Sequence, residues 1–309
     1  MKKHSPGRTF RRVLIIHKDS TYQTEALEKK DPRFLKLLQE GSEVVRTVSK
    51  THEQHVRTME QVKAALALRG IAFDVVNRLS TFVIGKDVDL IITVGGDGTF
   101  LHSARECTNI PILGVNSATA TSLGHFCLAN GDNFGDVLDG IISGKKRWYR
   151  LARLQLVLNG EALAVPVLNE ILVHDVHPGG PCTNITELDG VSEVQMSSGI
   201  YVSTASGSTG ANRSAGGRIL PITQRQFLYL VREPGMRPGD DWKLLGGAIA
   251  PHAQIRFVSR MSEGKIFADG KYGFEYDFQR GDELIVRLHP QDLRAYIDPT
   301  VNSRYGTIK

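Results

Sequence analysis

A chain of 309 residues has room for one large domain or for two of ordinary size. With 41% apolar and 23% charged residues the composition is that of a globular protein, and no apolar run reaches the roughly 18 residues that read as a membrane span. The net charge of +5 suits anionic partners. The basic residues are dispersed, without the interleaved aromatic platform of a nucleic-acid binder, and a phosphate-rich small substrate accounts for the same charge.

The segment Met1–Arg12 is basic with no apolar core behind it, and reads as a disordered tail rather than a signal peptide. Cys107, Cys127 and Cys182 form no Cys-x-x-Cys pair and are too few for a disulfide framework, so the cytoplasm is the expected compartment. Val13–Ile16 predicts a first buried strand. A polar excursion with Lys29, Lys30, Asp31 and Pro32 follows. The spacing then predicts a helix from about Val44 to Arg69, stopped by Gly70, and a second strand at Phe73–Val76. Val88–Val94 is the clearest strand, with a helix from about Thr99 to Cys107 behind it, another strand at Pro111–Val115, and a helix around Asn133–Ile142. This alternation implies a Rossmann-like parallel α/β sheet.

From Tyr149 onward, strand-like alternation takes over. Arg153–Leu158 leads into Asn159-Gly160 as a hairpin turn. Further strands are expected at Val165–His174, Glu193–Met196, Ile200–Ser203, Gln254–Ser259, Ile266–Ala268 and Glu283–Leu288. The expected organisation is an α/β domain over residues 1–146 and a β-rich domain over 147–309, with the tail after His289 a candidate to pack back on the first.

Gly95-Gly96-Asp97-Gly98-Thr99 stands where the Val88–Val94 strand ends and a helix begins. Ligands of open α/β sheets bind at such strand ends. Glycines let the backbone approach a ligand closely, and backbone N–H groups at a helix start cradle phosphate oxygens. Asp97 is the one carboxylate in this cradle. Beside phosphates it needs a purpose: taking the proton of an attacking hydroxyl, or helping to hold Mg²⁺. The plain alternative is a tight turn with Asp97 as a helix cap.

Two downstream features bear on that choice. Ser203 to Gly210 is crowded with small hydroxyl residues and glycine, and Ser214-Ala215-Gly216-Gly217 follows. Asn169-Glu170 sits inside the apolar run Val167–Val173, so one of the two must face the buried side of the pleat.

In this order and spacing the elements resemble the NAD kinase family, over most of the chain from Leu90 to about Leu288. Gly114-Val115-Asn116, Ala268-Asp269-Gly270 and Arg280-Gly281-Asp282 add to the resemblance, and Met236–Gly239 looks most similar to the plant-type NADH kinase branch. The resemblance implies an NAD kinase-like fold and phosphoryl transfer from ATP, another nucleoside triphosphate or polyphosphate to the 2′-hydroxyl of the adenosine ribose of NAD or NADH. It implies Asp97 as general base, with Mg²⁺ neutralising the donor phosphates and no direct protein metal ligand assigned. It also implies phosphate or nucleotide contacts from Gly95, Gly96, Gly98, Thr99, Asn116, Asn169, Glu170, Ser206, Gly207, Ser208, Thr209 and Ser214. A homodimer or homotetramer is implied, with no nucleic-acid or membrane partner.

Three places depart from the family pattern: Ser198-Gly199 stands for an Asp-Gly pair, Ala211 stands where an aromatic ring is usual, and the usual Leu-Gly-Phe is stretched, with Ser117–Ser122 before Leu123-Gly124-His125. Alternatives are a diacylglycerol- or sphingosine-type lipid kinase, which shares the glycine motif, and a dinucleotide sensor of weak activity. The pair His52 and His55 has legal metal-ligand spacing on a helix but lacks a third ligand. Arg232 is a further phosphate-binding candidate.

Overall fold

The computed structural model describes residues 9–107, 109–270 and 273–306; residues 1–8 of the basic tail lie outside them. The chain divides into two compact units, one running to Tyr149 and including Arg294–Asp298, the other comprising Arg150–Leu293 and the chain from Pro299.

The first unit is built on strands β1 (Arg12–His17), β2 (Ala72–Asn77), β3 (Leu90–Gly95), β4 (Ile112–Asn116) and β5 (Cys127–Asn130). Every residue of β3 is buried, as expected of an inner strand of a parallel sheet covered on both faces. β1 lies between β2 and β3, and β4 follows β3, all parallel. The helices are α1 (Pro32–Gln39), α2 (Val48–Leu68), α3 (Asp97–Glu106) and α4 (Phe134–Ile142). α2 buries His55, Thr58, Met59, Val62 and Leu66, spaced three and four apart along one face. It starts later than its helix-forming composition predicts, and Val44 ahead of it is exposed. The polar excursion contains α1, whose start was written in the sequence: Asp31 accepts the N–H groups of Arg33 and Phe34, and Pro32 occupies the first turn.

The second unit is a sandwich of two antiparallel sheets. Its strands are β7 (Leu154–Leu158), β8 (Glu161–Ala162), β9 (Glu170–Asp175), β10 (Cys182–Leu188), β11 (Val191–Ser197), β12 (Ile200–Thr204), β13 (Phe227–Val231), β14 (Gly246–Ile249), β15 (Gln254–Ser259), β16 (Gly264–Ala268), β17 (Phe274–Asp277) and β18 (Glu283–Leu288). One sheet runs β11-β10-β15-β18-β7-β8 and the other β14-β13-β12-β9-β16-β17. Alternate residues of both, among them Leu154, Ile171, Val202, Phe257, Ile266 and Val286, share one core. Asn159 and Gly160 adopt the positive φ values of 51° and 84° that a two-residue hairpin turn needs between β7 and β8.

Two short strands complete the first sheet, β6 (Tyr149–Leu151) and β19 (Leu293–Tyr296), in the order β4-β19-β6. Ala295 and Tyr296 pair in parallel with Ile112 and Leu113 of β4. The fold is therefore a mostly parallel α/β sheet plus two antiparallel sheets. Among the described residues no helix is long and apolar enough to cross a membrane.

Candidate active site

At the end of β3 the chain turns into α3 within two residues, with Gly96 as the cap and Asp97 as the first helical residue. A Cβ at Gly95 would run into the side chain of Thr99, so only glycine permits the strand end and the helix start to fold this closely. Thr99 is buried with no partner for its hydroxyl oxygen. The Thr99 N–H donates to the Gly96 carbonyl at 3.0 Å, while the N–H groups of Asp97 and the exposed Gly98 have no intrahelical acceptor at the helix start. Asp97 is half-buried: the Phe126 N–H donates to its Oδ1 at 2.9 Å, and its Oδ2 is uncommitted among the described residues.

Asn116 stands opposite Gly95 on β4. Its Nδ2 donates to the Ser122 carbonyl at 2.9 Å and its Oδ1 accepts the Ala118 N–H at 3.0 Å. The Ser117 N–H donates to the Gly95 carbonyl at 2.9 Å. Asn116 thus clasps the loop after β4 against the glycine turn.

The structure brings to the same edge residues that motif reading passed over. Lys18 follows β1 and Arg78 follows β2, and the Arg78 guanidinium lies 3.7 Å from where a Gly98 Cβ would stand. Burial lowers the Lys18 pKa, and the charge of Arg78 lowers it further. His102 on α3 is held below its ordinary value by burial, then by Arg105 and Arg78. These side chains come from separate elements, so no local spacing reveals them. Asking what ends each parallel strand, as for β3, would have found Lys18 and Arg78.

The His52 and His55 pair is engaged otherwise. His52 Nδ1 is 2.7 Å from Ser20 Oγ and His55 Nδ1 is 2.8 Å from Ser117 Oγ. Burial, with the nearby Lys18, His17 and His52, pushes the His55 pKa down to about 4, so the ring is neutral at pH 7. Among the described residues no group of three or more His, Cys, Asp and Glu side chains is arranged to hold a metal ion.

In the second unit, Glu170 opens β9 and Asn169 stands just before it. Asp269, at a φ of 54° after β16, holds this strand start: its carboxylate accepts the N–H of Asn169 at 2.7 Å and of Leu168 at 3.1 Å. The Asp269 N–H in turn donates to the Glu170 carbonyl at 2.9 Å. Glu170 is half-buried as a residue, yet its Oε2 is out of solvent and without a partner, as are Asn169 Oδ1, Ser203 Oγ and Ser206 Oγ. Burial, helped by the charge of Asp269, pushes the Glu170 pKa up to about 8, so the carboxyl is mainly protonated at pH 7. Such a group of orphaned buried polar atoms in a native fold marks a place where a polar ligand completes the hydrogen bonding.

The small-residue loop wraps this strand start. A Cβ at Gly207 would collide with the Asn169 backbone, and one at Gly210 would stand 3.6 Å from Glu170 Oε2. The Thr204 N–H donates to the Asn169 carbonyl at 2.9 Å, and its Oγ1 to the Leu168 carbonyl at 2.6 Å. Ser208 is fully buried; its hydroxyl donates to the Ala205 carbonyl at 2.7 Å and accepts the Leu220 N–H at 3.1 Å. It shapes the loop from inside. Ser206 is buried with a free hydroxyl, Thr209 is half-buried, and Ser214 is exposed, one helical turn past Gly210. Asn169, Glu170, Ser206 and Gly207 thus converge, while Ser214 stays outside the cluster. Arg232, raised as a phosphate binder, lies over the Tyr201 ring at 5.4 Å and 3.7 Å from Glu233.

Comparison with known proteins bears on this arrangement. A family profile described as ATP-NAD kinase N-terminal domain matches residues 13–146. The "Probable NADH kinase" of Oryza sativa subsp. japonica is 33% identical over 255 residues, covering 75% of this chain and 78% of that protein. The chain belongs to the NAD kinase family. Two solved structures share its fold. Yeast NADH kinase complexed with NADH superposes with a TM-score of 0.70 at 17% identity, covering 96% of this chain and 86% of that one. An NAD kinase from Archaeoglobus fulgidus in complex with ATP gives a TM-score of 0.67 at 19% identity, covering 95% and 96%.

Proposed function

We propose that this kinase transfers the terminal phosphoryl group of ATP to the 2′-hydroxyl of the adenosine ribose of NAD or NADH, with Asp97 as the base. The observation that carries the assignment of Asp97 is its free Oδ2 at the glycine turn, on a carboxylate whose other oxygen is fixed by the Phe126 N–H. The hydroxyl oxygen forms the new O–P bond and its proton passes to Oδ2. The bond to the departing ADP breaks, and NADP or NADPH results. A loose phosphoryl transition state asks for positioning and positive charge rather than covalent help. The first turn of α3, Lys18 and Arg78 supply that charge in the first unit.

In the second unit, Asn169 and Glu170 hydrogen-bond the dinucleotide, with Glu170 donating its proton in the neutral form. Ser206 and the loop backbone complete the contacts. The residues fit Mg²⁺ only as an ion arriving on the donor's phosphates, since Asp97 is the sole carboxylate of the glycine turn and Mg²⁺ commonly binds through one or two carboxylates plus phosphates. When bound it neutralises phosphate charge.

The enzyme is further proposed to act as a homodimer or homotetramer in the cytoplasm. Purified protein incubated with ATP, Mg²⁺ and either NAD or NADH is expected to form NADP or NADPH. No product from either acceptor, with ATP, other nucleoside triphosphates or polyphosphate, would overturn the proposal. Light scattering on the same sample reads the subunit count.

A further inference from the structure

The second unit holds a cavity of about 500 Å³ lined by Thr183, Gln195, Met196, Trp242 and three arginines, Arg237, Arg260 and Arg280, which shares no residue with the glycine turn, the start of β9 or the small-residue loop. Asp240 is the one carboxylate in its lining, and it is committed to the backbone: its Oδ2 accepts the Arg237 N–H at 2.7 Å. Among the described residues none of the three guanidiniums has an ion-pair partner. Their neighbour Arg256 shows the usual arrangement, bracketed by Glu187 and Glu283 at 2.6 Å each. Three like charges around one hollow, with the single carboxylate of Asp240 among them, repel one another unless an anion joins them.

Each arginine is delivered by a fixed piece of backbone. Arg260 is tied to β10 by its own N–H, which donates to the Thr183 carbonyl at 2.9 Å. Arg280 rides on a turn held by Asp282, whose carboxylate accepts the Gln279 N–H at 2.6 Å and the Asn159 amide at 2.9 Å. The segment bearing Arg237 and Trp242 is strapped along β11. The Gly235 N–H donates to the Met196 carbonyl at 2.7 Å, and Glu193 accepts the N–H groups of Lys243 and Leu244 at 2.6 and 3.1 Å. The backbone that carries these side chains is therefore held by its own hydrogen bonds.

We infer that this cavity is a second nucleotide site, binding a nucleoside phosphate with its phosphates on Arg237, Arg260 and Arg280 and its base against Trp242. Guanidinium forks match phosphate oxygens, and an indole face stacks on a base. The volume falls within the range of about 300–1,000 Å³ typical of small-ligand sites. The inference stands on unit-two residues alone and does not depend on the kinase assignment.

The chain has two tryptophans, Trp148 and Trp242. Protein labelled with fluorotryptophan therefore gives two ¹⁹F resonances, assigned with Trp242→Phe. Titration with ADP or with NADP is expected to move the Trp242 resonance and leave that of Trp148 in place; whichever ligand binds tighter identifies the natural source of the nucleotide. Adenosine and inorganic tripolyphosphate, each lacking half of the chemistry, are expected to bind at least about tenfold more weakly. The double variant Arg260→Ala/Arg280→Ala should lose about tenfold or more in nucleotide affinity. Its Trp148 resonance should be unchanged, as a check that it folds, and so should its basal NAD(H) phosphorylation. A still Trp242 resonance at millimolar nucleotide, or an undiminished affinity in the folded double variant, overturns the inference. Tripolyphosphate binding as tightly as ADP overturns the nucleotide assignment and leaves an anion site.

Discussion

Asp97 and Glu170 are both carboxyl groups, and their surroundings suit them to the opposite tasks proposed for them. In Asp97 one oxygen accepts the Phe126 N–H and the other is uncommitted among the described residues, as the proposed base requires. Asparagine keeps the shape and, through its amide oxygen, that anchoring bond, but it cannot take a proton. Asp97→Asn is therefore expected to reduce kcat by roughly 10²–10⁴-fold with little change in nucleotide affinity, measured by steady-state kinetics beside calorimetric titration. Glu170 is held neutral by burial and by Asp269. Its pKa rises from 4.5 to about 8 on folding, so between these values the folded chain retains a proton that the unfolded chain has released. The stability this group contributes is full below about pH 4.5 and is lost as pH rises toward 8. Glu170→Gln, which never ionises, should be more stable than the parent by about 1–3 kcal/mol at pH 8, a gain that vanishes near pH 4.5. Urea titrations at the two pH values measure this, and the same variant is expected to show a higher KM for NAD or NADH.

Between elements, α2 meets the loop after β4 through the His55–Ser117 contact. The His55 pKa falls from 6.5 to about 4, the reverse case: its contribution is present above pH 6.5 and is lost as pH falls through 4. Wild-type stability should drop by up to about 3 kcal/mol over that window. His55→Gln, which can still reach Ser117 but does not titrate, should show a flatter acid limb in denaturant curves taken from pH 7 to pH 4.

How far these elements were legible follows from the range of the interactions that make them. The β3–glycine–α3 unit is a local pattern of apolar run, turn and helix start, so its position was readable in the sequence. The strands β15 and β18 alternate cleanly and occupy their expected spans. β10, β13 and β17 went unread: Cys182–Leu188 is mostly polar, and its inward Asn184 and Thr186 are buried because they bond to each other and to Gln195. Lys18 and Arg78 reach the edge of the glycine turn through sheet order, and the arginines line their cavity through sandwich topology, neither of which is a short-range signal.

At the scale of the whole chain, connectivity decides what can be cut. The first unit is not a contiguous stretch, because β19 enters its sheet from the far end of the sequence and lies between β4 and β6. Its members Leu293, Ala295 and Tyr296 are buried, and Tyr296 packs in the same core as Val62, Leu113 and Phe134. A fragment ending at Tyr149 would lack this strand. It would expose the backbone donors and acceptors of β4 at Ile112 and Leu113 and open a space where Tyr296 stood. Loss of a buried aromatic side chain alone costs about 3–5 kcal/mol, a large share of the 5–15 kcal/mol that holds a typical domain together. The unpaired β4 edge would also invite association with other copies. The fragment 9–149 is thus expected to aggregate or to unfold at much lower urea than the first unit does within the full chain. Full-length Tyr296→Ala should fold but be weakened by a similar few kcal/mol. Adding a synthetic peptide spanning residues 290–300 to the fragment should recover part of the loss, read by circular dichroism and sedimentation. A fragment as stable and monomeric without the peptide as with it would show that β4 tolerates an open edge and that β19 is dispensable to the sheet.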